Sequence, residues 1–276
     1  MSGKDSSLEK SSANFFSSLE TIEVNIDAGV AKVTLNRPDR LNAISLKMLE
    51  EIKQLMELVE KSNEVRVVVI TGGGKYFSAG ADIVEVSGIE TTFDAFEYMR
   101  NIQLVFNSLT KLPKPVIAGV NGLALGGGCE LALACDLRIA SENATFGVPE
   151  IDIGVLPGGG GTQRLPRLLG ICKAKEMLYT GRRITAKEAC DMGMINKVVP
   201  FGELQQEVDS WAKEIVAKSS LALKEAKHLV NTGIEHDLET ALKMEAYSVA
   251  ALFTSEDKKE GMQAFLEKKK AVFKGK

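Results

Sequence analysis

The sequence predicts an α/β protein, with a wound, mainly parallel core followed from near residue 200 by a helical C-terminal subdomain. Three observations predict it. Short β-branched or alternating runs trade places with helix-periodic stretches as far as Val120. Helical patterns then succeed one another after Gly170. Between these regions, Gly119–Gly170 holds twelve of the chain's 25 glycines in 52 of its 276 residues. Backbone there must approach something closely, or adopt positive φ, more often than elsewhere.

In chain order, residues 1–18 are polar and Ser/Lys-rich and read as a frayed arm. Thr21–Asp27 and Val30–Leu35 alternate apolar and polar around Ala28-Gly29, a hairpin signal, and Asn36-Arg37-Pro38 ends the second strand. From Ser45 to Ser62, apolar Leu46, Leu49, Ile52, Met56 and Val59 recur among acids and lysines, which gives an amphipathic helix. Val65–Thr71 reads as a buried parallel strand, Thr92–Leu112 as a second helix closed by Pro113 and Pro115, and Val116–Val120 as another buried strand. Beyond Gly170, helices are expected at 174–180, 186–192, 203–218, 222–231, 238–253 and 258–273. The division into domains is a core over 19–200 and a helical subdomain over 201–276.

Composition narrows the function. Hydrophobic residues make up 45% and charged residues 26%, enough for a sizeable core. The net charge of −3 gives no global pull towards nucleic acid or anionic membrane. No apolar run approaches the ~18–20 residues of a membrane span, and the N-terminus resembles neither a secretory signal nor a transit peptide. A soluble, cytoplasmic protein is the expectation. Cys129, Cys135, Cys172 and Cys190 form no CxxC pair and have no ligand-like histidine spacing, so reduced structural thiols are expected and no metal site. The only histidines, His228 and His236, fall late in the chain, which disfavours a Ser-His-Asp hydrolase.

Three glycine clusters are candidate ligand sites. Gly72-Gly73-Gly74-Lys75-Tyr76 lacks the Ser or Thr that comes after a phosphate-loop lysine, and neither Gly126–Gly128 nor Gly158–Gly161 has dinucleotide-binding spacing. A tight turn is the plain reading of each. Gly126-Gly127-Gly128 differs in context, because it comes after a strand and opens an apolar helical stretch, Glu130–Cys135. Backbone N–H groups at a helix N-terminus suit an oxyanion or enolate that builds up during reaction. Glu130 lies three residues beyond Gly127, over the same spot, and reads equally as a helix-dipole partner or as a catalytic acid.

Six segments carry a resemblance. They are I-A-G-V-N-G-L-A-L-G-G-G-C-E-L-A-L-A-C-D-L (Ile117–Leu137), N-R-P-D-R-L-N-A (Asn36–Ala43), F-S-A-G-A-D-I (Phe77–Ile83), F-G-V-P-E (Phe146–Glu150), P-G-G-G-G-T-Q-R-L-P (Pro157–Pro166) and E-G-M-Q-A-F-L-E-K (Glu260–Lys268). Ordered and correctly spaced over about residues 20–274, they resemble the signature of the enoyl-CoA hydratase/isomerase (crotonase) superfamily. The resemblance implies a crotonase-like α/β spiral of ββα units with a C-terminal helical trimerisation subdomain. It also implies a homohexamer built as a dimer of trimers.

The resemblance also implies roles for residues. The thioester carbonyl would sit between the N–H groups of Ala81 and Gly127. Arg40, Leu41, Ala79, Asp82 and Ile83 match positions bordering CoA, and Phe265 and Lys268 match an aromatic and a lysine that a neighbouring subunit often supplies. Glu130 and Glu150 match the two glutamates of the hydratases, where one carboxylate activates water for attack at Cβ and a neutral partner protonates Cα. Water activation falls to Glu130 and protonation to Glu150. The double-bond isomerases of the family mostly keep only the acid matching Glu150, and the dienoyl-CoA isomerases carry an aspartate where this chain has Gly158. The implied activity is reversible hydration of a trans-2-enoyl-CoA, as in fatty acid β-oxidation, with no cofactor because CoA is part of the substrate. Isomerase activity is the alternative.

Two other classes fare worse. Some relatives bind RNA through lysines on an early helix, but Lys47, Lys53 and Lys61 here alternate with Glu50, Glu51, Glu57 and Glu60, the pattern of a solvated face. Lys268-Lys269-Lys270 has no aromatic stacking platform beside it. A serine peptidase built on Ser78 would have no histidine in the core to activate it.

Overall fold

The computed structural model describes residues 15–276. The predicted arm lies outside the described residues up to residue 14, and it is docked from Phe15 onwards. Phe15 and Phe16 stand edge to face, ring centroids 5.5 Å apart, and lie against the core, where two aromatic rings are better buried than in water.

The hairpin pairs strand β1 (Ile22–Asp27) with β2 (Val30–Leu35) in antiparallel register, and its turn residues Ala28 and Gly29 both take positive φ. From β2 the sheet grows in parallel through β3 (Val67–Gly72), β4 (Val116–Val120), β6 (Leu137–Ser141) and β9 (Lys197–Val199). Between β2 and β3 runs helix α1 (Leu46–Lys61), started by Ser45, whose side chain accepts from the Met48 N–H. A short helix α2 (Ile83–Ser87) and the long α3 (Thr92–Lys111) connect β3 to β4. Val68, Ile70 and Ala118 point to one face, where α1 and α3 bury Leu49, Ile52, Leu55, Phe106 and Leu109.

Val67, Val69, Ile117 and Ile139 point to the other face. There they meet Leu204, Val208 and Ala212 of helix α8 (Leu204–Val216). The first helix beyond residue 200 therefore completes the core, because a parallel sheet needs both faces covered. Only the later helices α9 (Ser220–Gly233), α10 (Leu238–Leu252) and α11 (Glu256–Leu266) project from it, and α9 and α10 bury no residue completely. The last predicted helix is also too long. It ends at Leu266, Lys268 takes φ 54°, and the chain folds back so that Phe273 lies over Gly261 and Asp257 accepts from the N–H groups of Lys274 and Gly275.

A second, three-stranded sheet positions the site. Its strands β5 (Leu123–Leu125), β7 (Thr145–Gly147) and β8 (Ile184–Thr185) are too short to show a period in the sequence. Ser78 bridges Ala124 in parallel, Leu125 pairs with Gly147, and Ala81 bridges Ile44. Three parallel segments thus end side by side, and the turns that leave them gather at their carboxyl ends. No helix among the described residues is long and apolar enough to cross a membrane.

Candidate active site

At the end of the first segment, the turn Ala79-Gly80-Ala81-Asp82 is held by its neighbours' bonds. Ile44 N–H donates to Gly80 O (2.7 Å) and Asp82 N–H donates to Ile44 O (2.9 Å), so the strand beside Ala81 uses the groups on either side of it and not its own N–H. At the end of β5, helix α4 (Gly127–Ala134) begins, and its first N–H belongs to Gly127. Among the described residues, neither the Ala81 nor the Gly127 N–H donates to a backbone partner outside its own element. The two turns touch: a Cβ on Gly127 would lie 3.4 Å from the Ala81 nitrogen. The glycines make this approach possible. Gly126 takes φ 51°, ψ −127°, which side chains do not tolerate, and a Cβ on Gly128 would lie 2.4 Å from the Ser78 carbonyl oxygen.

Glu130 stands in the first turn of α4, 3% exposed. Its Oε1 accepts from the Gly161 N–H at 2.7 Å, where Gly161 is the first residue of helix α5 (Gly161–Leu169). Burial pushes its carboxyl up, while the N–H groups of Gly161, Gly159 and Gly160 and the Arg164 guanidinium pull it back. The cluster Gly158–Gly161 is thus more than a tight turn. A Cβ on Gly159 would lie 2.7 Å from Glu130 Oε2, and one on Gly161 3.0 Å from Oε1, so bare backbone lets the loop close around the carboxylate.

Glu150 comes after β7 in a single 3₁₀ turn (Pro149–Ile153) opened by Pro149 and closed by Gly154 in the left-handed conformation. The Gly126 N–H donates to Gly147 O (2.9 Å), which draws this turn against the start of α4, and a Cβ on Gly126 would lie 3.0 Å from Glu150 Oε1. Its Oε2 is buried without a hydrogen-bond partner. Burial first, and then the nearby Glu130 charge, push its carboxyl up to about 7. The two carboxylates, twenty residues apart in sequence, therefore share one site in different surroundings: Glu130 accepts from the glycine-loop N–H groups, while Glu150 leaves its Oε2 without a partner.

The remaining predicted residues divide. Ala79 N–H donates to Leu41 O (3.0 Å), so the Arg40-Leu41 loop borders the turn, with Arg40, Leu41 and Ile83 exposed beside it. Asp82 serves the frame: it pairs with Arg37 at 2.8 Å, its side chain starts α2, and the Arg37 guanidinium holds its carboxyl below the usual carboxylate range. Phe265 is 81% exposed, and neither it nor Lys268 is joined to this turn by a hydrogen bond or ion pair within one chain. The sequence reading missed Arg37, Arg164 and the part played by Gly159–Gly161. Their only sequence signal was their place inside matching motifs.

Other chemistries find no support in the geometry. Ser78 is completely buried and its Oγ accepts from the Gly80 N–H, while His228 and His236 are exposed on and just after α9. Burial pushes the Cys135 thiol up to about 12 and the Cys129 thiol higher still, away from nucleophilic use.

The site can be set against known proteins. A family model described as enoyl-CoA hydratase/isomerase matches residues 25–276. A short-chain-enoyl-CoA hydratase of Clostridium acetobutylicum is 44% identical over 254 residues, 91% of this chain and 97% of that protein. A crotonyl-CoA hydratase of Syntrophomonas wolfei is 45% identical over 255 residues, 92% of this chain and 98% of that one. The crystal structure of an enoyl-CoA hydratase from Bacillus anthracis superposes with a TM-score of 0.90 at 40% identity, covering 93% of this chain and all of that one.

Proposed function

The chain belongs to the enoyl-CoA hydratase/isomerase family, and from that premise we propose that it hydrates short trans-2-enoyl-CoA thioesters reversibly, with Glu130 and Glu150 as its acid–base pair. The observation that carries this is the contrast between the two carboxyls. Burial raises the Glu130 carboxyl too, and in this reading the glycine N–H groups and Arg164 offset that rise enough for it to ionise and take a proton from water as the oxygen bonds to Cβ. The π electrons move onto the thioester oxygen, and the Ala81 and Gly127 N–H groups stabilise the resulting enolate. Glu150, protonated by burial and by its neighbour's charge, then delivers its proton to Cα. One water is added, no electrons are gained or lost, and a proton returns from Glu130 to Glu150 to reset the pair.

The pH dependence comes from these states. Hydration needs Glu130 ionised and Glu150 protonated; dehydration needs the reverse. Both contain one proton over the pair, so both directions are competent in the same pH window. Glu150 holds its proton below about 7 and loses it above, so kcat/KM falls on the alkaline side of about 7. Loss of conjugated-thioester absorbance with crotonyl-CoA, measured from pH 5 to 9, tests both points. No loss of absorbance at any pH rules out hydration, and a rate that climbs steadily to pH 9 rules out the acid role of Glu150.

The oligomer belongs to the same reading. Helix α10 carries Leu238, Leu242 and Val249 along one side, all exposed in the single chain, and such an apolar face supports a trimer, paired into a hexamer. Phe265 and Lys268 would then meet the Ala79–Ile83 turn of a neighbouring copy and complete the CoA site. Light scattering should give a mass near six chains, and Leu242→Glu should lower it and raise the KM for crotonyl-CoA. A monomeric wild type would remove the trimer from the proposal. The reading puts the reaction in the cytoplasm, in fatty acid β-oxidation, in keeping with the bacterial relatives.

A further inference from the structure

Behind the Glu130 cradle stands a charge that the proposed chemistry does not itself use. Arg164, on α5, donates from Nη1 to the Gly159 carbonyl oxygen (2.9 Å) and from Nη2 to Asn107 Oδ1 (2.7 Å). One arm of the guanidinium thus grips the glycine loop whose N–H groups face Glu130, and the other ties it to α3. The loop is held tightly at this point: Gly160 takes φ 118°, and a Cβ there would collide with Arg164. No acid is ion-paired with Arg164 among the described residues. The Glu130 carboxylate is the acid whose charge acts on it most, and the attraction is mutual.

Arg164 also lines a cavity of about 880 Å³ between the core and α9, together with Gly159, Gly160, Asn107 and Lys227. Arg164 thus holds the glycine loop through the Gly159 carbonyl, while Glu130 meets the same loop through its N–H groups. A planar fork suits this task, since it fixes a carbonyl and an amide oxygen together while keeping its charge.

We propose that Arg164 is the positioning residue of the hydratase site: through the Gly159 carbonyl it fixes the glycine loop so that the loop's N–H groups hold the Glu130 carboxylate in place. The inference rests on the hydratase reading above and adds a residue that acts through the glycine loop. It predicts two separable effects. Loosening the loop lowers turnover, and removing the positive charge raises the pH at which Glu130 takes up a proton. The second sign is direct: a base that protonates at higher pH is lost sooner as pH falls, so the acid limb of kcat/KM moves up.

The experiment uses the full-length wild type, Arg164→Gln, Arg164→Lys and Asn107→Leu, each assayed with crotonyl-CoA across pH 5–9 alongside its thermal midpoint. Arg164→Gln should lower kcat by as much as about a hundredfold, leave KM near the wild-type value, and move the acid limb up by about one pH unit. Arg164→Lys should restore the acid limb more than the turnover, because it keeps the charge and loses the fork. Asn107→Leu should lower kcat with little movement of the limb. In a Glu130→Gln background, Arg164→Gln should cost little further activity, since the group it acts through is gone. An unmoved acid limb, or a full and additive loss in the Glu130→Gln background, would overturn the proposal and leave Arg164 a packing residue. A wild type inactive on crotonyl-CoA at every pH would instead refute the underlying reading.

Discussion

Glu130→Gln is expected to lower crotonyl-CoA hydration by roughly 10²–10⁴-fold, and Glu150→Gln by a similar factor, with the fold intact in both. Glutamine at 130 can still accept from the Gly161 N–H through its amide oxygen, so the cradle stays formed. It cannot take a proton from water. At 150 the amide replaces a carboxyl whose Oε2 has no partner to lose, and it has no proton to give to Cα. The two variants then separate the hydratase reading from its isomerase alternative. An isomerase needs one acid–base group, so Glu130→Gln would keep exchange of substrate protons with deuterated solvent while losing water addition. Glu150→Gln should lose both. Wild-type turnover in either variant would overturn the roles assigned here, and retention of full hydration by Glu130→Gln would leave the water without a base.

Gly128→Ala is expected to be nearly as damaging for a different reason. The added methyl would sit 2.4 Å from the Ser78 carbonyl oxygen and 2.7 Å from its Cβ, and Ser78 cannot retreat. It is completely buried, its N–H donates to Leu123 O (2.9 Å), and its carbonyl accepts from the Leu125 N–H (3.0 Å). Relief comes only by separating the strand that carries Ala81 from the helix that carries Gly127, which spreads the two N–H donors. Losing one such donor costs about 10²–10³-fold in kcat, and overpacking costs about 1–3 kcal/mol of stability. Gly88→Ala is the matching control, since its methyl would meet nothing closer than the Glu85 carbonyl oxygen at 3.6 Å and its φ is −86°. If Gly128→Ala kept both turnover and thermal midpoint, the close approach of the two turns would not be the feature that shapes the site.

Some elements were legible because their signals are local. The hairpin at Ala28-Gly29, the apolar stripe of α1 and the β-branched run of β4 each owe their form to residues within a few positions. The last helix was misread for the converse reason: its residues after Leu266 have helical composition, but Asp257 captures the backbone of Lys274 and Gly275 from across a turn. That α8 packs on the core sheet was likewise not legible, because only the sheet face awaiting cover explains its place there. At the site, the motif strings identified Glu130, Glu150, Ala81 and Gly127 as candidates, while Arg164 and the cradle it holds stayed hidden inside one of them.

By itself the sequence determined the fold class, the family and the kinds of group available for chemistry, since all three depend on residue types in order. Tertiary structure alone decided which groups meet and in what charge state. It set the turns of Ala81 and Gly127 against each other and brought two distant glutamates to one place. The N–H donors around Glu130 come from the Gly159–Gly161 loop thirty residues on, and the turn that holds Glu150 is drawn to the site by its contact with Gly126. A carboxyl's proton affinity depends on the dielectric and the donors around it, and those exist only once the chain has folded.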